Sequence, residues 1–275
     1  MQIGIFAKTF AGHDPDSVLH AVAAAGYDTC QYNMACSGLP SLPREIGESH
    51  RNAIRLARDN AGVGIAALSA TYNMIHPDPQ AREEGFRSFR TLAATAQDLR
   101  IPMVTLCTGS RDAKDQWAHH PGNRSPDAWR DLTAAMTKAL EVADTFGIDL
   151  GVEPEHGNVV NNARSAKLLL KQMSSARLKI VIDPANLITS ETGAAQRAII
   201  SAAVETLADS IALAHAKDRG PSGQIAAAGQ GVIDFPFFLG KLRDIGRDVP
   251  VITHGLAAED AAAVSGFLRA CLENP

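Results

Sequence analysis

The sequence predicts an α/β protein of the (β/α)8 TIM-barrel class, folded as one domain over residues 1–275. Three observations lead there. Short apolar, β-branched runs alternate with longer amphipathic stretches along the whole chain. Eight such pairs fit into 275 residues, close to the roughly 250 of a typical barrel of this class. The first strand-to-helix turn, "KTFAGHDPDS", has no G-x-G-x-x-G, which removes the main signature of the competing open, doubly wound sheet.

Each pair has its own local grounds. Ile3–Ala7 reads as a strand, and "HDPDS" then sets a polar cap and a proline at the start of a helix over Pro15–Ala25. Asp28–Asn33 leads to a helix near Arg44–Asn60, and Gly64–Ala70 to one near Gln80–Leu99. Met103–Thr108 precedes the longest helical pattern, Pro126–Phe146, whose start "SPDAW" repeats the cap-and-proline signal. Ile148–Glu153 pairs with Ala163–Met173, Leu178–Asp183 with Ala194–Ala208, Ile211–His215 with Phe235–Ile245, and Pro250–His254 with Ala258–Cys271. Gly26, Gly62, Gly147 and Gly246 fall where helices should stop. No Pro/Ser-rich linker or low-complexity tract divides the chain.

Composition narrows the function. A chain with 45% hydrophobic and 20% charged residues can bury a substantial core. No run of about 18 apolar residues occurs, and "MQIGIFAKTF" lacks the basic start and long apolar core of a secretory signal, so a cytoplasmic enzyme is expected. A net charge of −4 argues against a nucleic-acid backbone as partner and leaves a small molecule. Cys30, Cys36, Cys107 and Cys271 form no C-x-x-C pair and read as reduced, buried thiols.

Strand periodicity picks out the candidate site. In "IDLGVE", Ile148, Leu150 and Val152 share the helix-facing side, so Glu153 should point to the barrel axis. In "LKIVID" the same alternation turns Asp183 inward. It also places His215 of "IALAH" and His254 of "PVITH" inward, on strands that are apolar on both sides. All four end their strands at the C-terminal rim, where barrel active sites are built. They follow one another at intervals of about 30 to 40 residues, one βα unit each. Two carboxylates and two imidazoles suit Mn2+, Co2+, Fe2+ or Zn2+; without a cation, the carboxylates would repel and one would take up a proton. The bland alternative is four separate polar strand ends, each hydrogen-bonded to a loop.

Other residues reach the same rim with less support. Arg111 of "CTGSRD" could clamp a phosphate or carboxylate, or pair with Asp112 or a glutamate. "TYNMIHPD" brings Tyr72, Asn73 and His76 to the rim, with a cap or loop role as the alternative for His76. Glu155 lies beyond Pro154, as a substrate contact or a solvated rim charge, with His156 beside it. Lys217 faces inward only if its strand continues past His215. The segment "AKDQWAHHPGNRSPDAW" is long for a loop of this kind, and its Trp117, His119 and His120 suggest a lid or subunit contact.

"GVEPE", "VIDPANL", "AHAKD" and "GQGVIDFPFFLGKLRDIG" resemble the xylose isomerase-like TIM-barrel superfamily of sugar phosphate isomerases and epimerases. The resemblance is clearest from about Leu150 to Gly255. It implies that Glu153, Asp183 and His215 bind a divalent metal, Mn2+ first, with Zn2+, Co2+ or Mg2+ as alternatives. It also implies a dimer or tetramer and a substrate-binding role for Asn186. Two departures stand out. His254 of "VITHGL" occupies the strand-8 position where the epimerases usually carry Glu, and Asn186 of D-P-A-N stands where many relatives have His.

The implied activity is isomerisation or epimerisation of a sugar or sugar phosphate. Glu153 or His254 would remove a proton next to a carbonyl, leaving a metal-stabilised enediolate. Replacing the strand-8 Glu leaves room for a dehydratase of a polyol or keto-acid, or for a non-catalytic sugar-binding relative. A nuclease of the endonuclease IV type is disfavoured: it needs further histidines on strands 2 and 3, and "DTCQYNM" has none.

Overall fold

The structure, a computed structural model, describes residues 1–273. Eight parallel strands close into a barrel: β1 (Ile3–Phe6), β2 (Thr29–Tyr32), β3 (Gly64–Ser69), β4 (Met103–Leu106), β5 (Asp149–Val152), β6 (Leu178–Ile182), β7 (Ile211–Arg219) and β9 (Val251–Thr253). The order β6-β5-β4-β3-β2-β1-β9-β7 is closed by pairing of β6 with β7. The short β8 (Ile225–Ala227) is an antiparallel addition to the end of β7, outside the barrel wall.

Eight helices run around the outside: α1 (Pro15–Ala24), α2 (Glu48–Ala61), α3 (Pro79–Asp98), α4 (Pro126–Phe146), α5 (Ala163–Met173), α6 (Gly193–Leu207), α7 (Phe235–Arg243) and α8 (Ala261–Glu273). Caps fix several starts: the side chains of Asp14, Asp78 and Ser125 accept from backbone N–H groups just ahead of proline-led first turns. Helix α2 begins at Glu48, not Arg44. Gly47 is extended at its N-cap, and Ile46 uses the preceding segment to bury itself in the core. Among the described residues, no helix is long and apolar enough to cross a membrane.

The core has two layers. The larger fills the space between strands and helices and takes Ile5, Tyr32, Leu150, Val152, Ile180 and Ile182. The smaller lies inside the barrel and consists of Ala67, Met103, Val181, Leu213 and Ile252. At Gly151 a Cβ would stand 2.7 Å from Met103 Sδ and 2.9 Å from Val181 Cγ2. Glycine therefore lets these two plug residues meet the backbone of β5. All four cysteines are buried and unbridged.

Strand β7 runs four residues beyond His215, where it pairs with β8, and Asp218 holds the return segment there. Its wholly buried carboxylate accepts backbone N–H groups of Gly229 (3.0 Å), Gly231 (2.9 Å) and Ile233 (3.0 Å). These bonds fold the "GQGVID" segment back over the strand end, and a Cβ on Gly231 would collide with that carboxylate. Much of the "AHAKD … GQGVIDF" pattern is thus an architectural staple that fixes the strand carrying His215.

Candidate active site

Inside the barrel, the apolar plug gives way to polar side chains two residues further along the same strands. Val181 is followed by Asp183, Leu213 by His215 and Ile252 by His254, with Glu153 at the end of β5. Each residue offers one ligand atom to a group whose members lie within 4.8 Å of one another.

Asp183 caps a short 3-10 turn, Pro184–Asn186. Its Oδ1 accepts from Ala185 N at 2.8 Å, which leaves Oδ2 aimed at the axis. Glu153 Oε1 accepts from Asn186 Nδ2 at 2.7 Å, and its Oε2 lies 3.2 Å from His215 Nδ1. The far nitrogen of His215, Nε2, is 2.9 Å from Gln31 Oε1. His254 Nε2 approaches Asp183 Oδ2 to 3.6 Å, and its ring meets that of His215 edge-on, 4.7 Å between centroids. Lys217 Nζ lies 3.0 Å from Asp183 Oδ2 and donates to Asn186 Oδ1 at 3.2 Å.

Three of these buried atoms, Asp183 Oδ2, His215 Nδ1 and His254 Nε2, have no aligned hydrogen-bond partner. Orphaned buried polar atoms are rare and costly, and three that converge on one point could be satisfied by a cation. Lys217 Nζ pairs with Oδ2 by charge at 3.0 Å, outside aligned hydrogen-bond geometry. Two carboxylates and two imidazoles with free lone pairs fit a divalent ion.

The electrostatics follow from burial. Burial raises the pKa of Glu153 to about 7, and the Asp183 charge adds to this against Lys217. Glu155 is pushed up to about 8, again by burial first and by Glu153 second. Burial would raise Asp183 as well, but Lys217 and His254 outweigh it and hold that carboxyl well below the usual range. Burial disfavours the Lys217 charge, yet Asp183, Glu153 and Glu155 reverse the balance and raise its pKa. His215 falls to about 4 and His254 is also lowered, both through burial. Near neutrality both imidazoles therefore keep a lone pair for a metal, and Asp183 and Lys217 are the charged pair.

A cavity of about 740 Å3 opens beside the group at the C-terminal end of the barrel. Glu155, Asn186 and Lys217 line it with Glu153, His215 and His254. Trp117 stands at its edge, half exposed, on a loop held by the Asn158 side chain, which donates to Gln116 O at 2.8 Å.

Four residues expected at the substrate are held elsewhere. Arg111 donates to Asp131 at 2.7 Å and to Ile75 O at 3.0 Å, and does not line the cavity. Asn73 braces the neighbouring loop through Ser110 N and O. His76 accepts from Asp78 N and contacts Ala113 O, a loop-capping role. Tyr72 packs on Phe89, while Thr71 before it faces the cavity. Residues that the sequence reading passed over also line the cavity, including Lys8, Gln31, Ser69 and Thr105. Gln31, Ser69 and Thr105 are buried polar residues on otherwise apolar strands, which is the signal that could have found them.

Residues 19–271 match the family model described as xylose isomerase-like TIM barrel. The chain belongs to that family. No curated protein matches it significantly. Several solved structures superpose over nearly the whole chain. The 3-keto-D-glucoside 4-epimerase from E. coli gives a TM-score of 0.77 at 14% identity, covering 98% of this chain and 100% of its own. D-Psicose 3-epimerase from Clostridium cellulolyticum H10, solved with D-tagatose, gives 0.74 at 16% identity, covering 99% of each chain. The IOLI protein, solved with a bound zinc atom, gives 0.74 at 16% identity, covering 98% of this chain and 96% of its own.

Proposed function

We propose that this chain is a divalent-metal-dependent isomerase or epimerase of a sugar or sugar-like substrate, acting by proton removal next to a carbonyl. One observation carries the reading. Asp183 Oδ2, His215 Nδ1 and His254 Nε2 converge beside Glu153 without aligned hydrogen-bond partners, and Glu153, His215 and His254 line a cavity large enough for a monosaccharide. Family membership and the activities named for the structural neighbours supply the substrate class.

The chemistry a bound cation supplies is Lewis acidity toward a carbonyl oxygen and the charge that gathers on it. Mn2+ is the first choice, with Co2+ and Zn2+ also suited to two nitrogen and two oxygen donors. Mg2+ is the poorest fit, because it prefers an all-oxygen shell. Glu153 is the proposed general base that removes the substrate proton. Asn186 donates to Glu153 Oε1 and so orients the carboxylate, with Oε2 turned toward His215. His254 faces the same space from β9 and is the second candidate for proton transfer. Lys217 keeps Asp183 ionised and offers a positive donor to substrate oxygens. Glu155 and Asn186 complete the proposed substrate contacts.

A dehydratase remains a second reading because His254 stands where a second carboxylate would favour two-base epimerisation. Solvent-deuterium incorporation across a panel of ketoses and aldoses, with Mn2+ added, tests the choice. Exchange with a ketose supports the isomerase; no exchange with any sugar, together with loss of water from a polyol or keto-acid, replaces it with the dehydratase.

A further inference from the structure

Gln31 is buried against the donor group, yet the proposed chemistry gives it no part. It lies on β2 between Cys30 and Tyr32, which both face the helices. Pairing with β3 shifts register between Cys30 and Gln31, so Gln31 stands opposite Ala67 of the inner plug. Its side chain is only slightly exposed, and both ends of its amide are engaged. Oε1 is 2.9 Å from His215 Nε2, and Nε2 donates to Thr105 Oγ1 at 3.1 Å.

A neutral imidazole carries one proton and has two places to keep it. On Nε2 the proton meets Gln31 Oε1. On Nδ1 it would be a buried donor without an aligned acceptor, because Nδ1 has no hydrogen-bond partner although Glu153 Oε2 is 3.2 Å away. A buried N–H left unmade is costly, whereas a lone pair facing a cation site is satisfied by the cation. Thr105 does not decide the matter, since its hydroxyl can donate or accept and so tolerates either orientation of the Gln31 amide. The selection is made at His215.

We propose that Gln31, anchored by Thr105, is a positioning residue that holds the His215 proton on Nε2 and thereby presents the Nδ1 lone pair to the cation site. The inference rests on the metal reading of the site, and deepens it by naming what fixes the tautomer of one ligand. Gln31 acts through His215, so its removal should weaken cation binding without removing a ligand.

The test begins with the metal-free protein, 15N-labelled at histidine, read by long-range 1H–15N correlation, with His215 assigned by its absence in His215→Phe. Wild type should show His215 as the Nε2–H tautomer. Gln31→Leu should lose that preference, and Gln31→Glu, which keeps an acceptor, should restore it. Zinc affinity, measured by competition with a chromophoric chelator, should fall about 10- to 100-fold in Gln31→Leu and largely recover in Gln31→Glu. If Gln31→Leu does not fold, the wild-type tautomer and the Gln31→Glu affinity still decide. An Nδ1–H tautomer in wild type, or zinc affinity and tautomer both unchanged in Gln31→Leu, overturns the proposal. Failure of wild type to bind zinc at all would overturn the metal reading instead, while the tautomer measurement would stand by itself.

Discussion

Met103, Val181, Leu213 and Ile252 close one part of the barrel interior, and two residues further along the same strands stand Thr105, Asp183, His215 and His254. The backbone, the inward direction and the strand partners are shared. What differs is the side chain and therefore what stabilises each layer. The plug is held by apolar burial and close packing, with glycine at position 151 to admit Met103 and Val181. The polar layer is held by a chain of contacts, Thr105–Gln31–His215 and Asn186–Glu153, that leaves three atoms unpaired. One layer has its packing satisfied and the other its hydrogen bonding left incomplete, which is the expected division between a scaffold and a site built on it.

That contrast can be broken from either side. The largest effect should come from Glu153→Gln, which keeps the shape and removes the proposed base. Proton exchange with substrate should fall by about 10²- to 10⁴-fold. The melting temperature should hold or rise, because a buried carboxylate near Asp183 is gone. Parallel measurement of exchange rate and thermal unfolding checks both halves; a collapse of stability would place Glu153 in the scaffold.

Leu213→Ala reverses the pattern. The residue is 1% exposed in the plug, and its truncation should cost about 2–5 kcal/mol in urea unfolding. Cation stoichiometry should be unchanged, since the donors two residues on keep their strand.

The pH dependence of cation binding sharpens the comparison further, because only the polar layer titrates. The two imidazoles are already neutral near neutrality, their pKa values being lowered by burial. Glu153, raised to about 7, must lose a proton to become a ligand. Affinity should therefore increase roughly tenfold per pH unit below that value and level off above it. Calorimetry in buffers of different ionisation enthalpy should find about one proton released per ion on the acid side. Affinity that falls with rising pH would contradict this assignment.

Arg111→Ala should give the smallest effect on function. The guanidinium is engaged by Asp131 and Ile75 O, outside the cavity, so substrate affinity should be unchanged. Stability should drop by about 1–3 kcal/mol, as for loss of a partly buried charged hydrogen bond. A large increase in KM with unaltered stability would return Arg111 to the substrate.

The barrel was legible because its helices and strands announce themselves locally, through caps such as Asp14 and Ser125 and through the alternation in "IDLGVE" and "LKIVID". The convergence of Glu153, Asp183 and His254 was legible because each follows the last residue of a strand in the inward phase, whereas β7 continues past His215. Register irregularities were not. Pairing with β6 skips Ala212 of β7, which lets Ile211 face the helices while Leu213 and His215 face inward, contrary to simple alternation. Residues after strand ends were harder still. Tyr72, Asn73 and His76 sit where the chain bends away to brace loops, and their directions depend on contacts such as Asn73 with Ser110 that are distant in sequence. The return segment over the end of β7 depended on Asp218 reaching backbone amides 11 to 15 residues away.

The proposed function turns on a divalent ion that Glu153, Asp183, His215 and His254 would hold. The direct measurement is metal analysis of protein equilibrated with a slight excess of Mn2+ or Zn2+ and then freed of unbound metal, beside Asp183→Asn and His215→Phe. One ion per wild-type chain, and none retained by either variant, is the expected result. A metal-free wild type, or variants that keep the ion, would contradict the account.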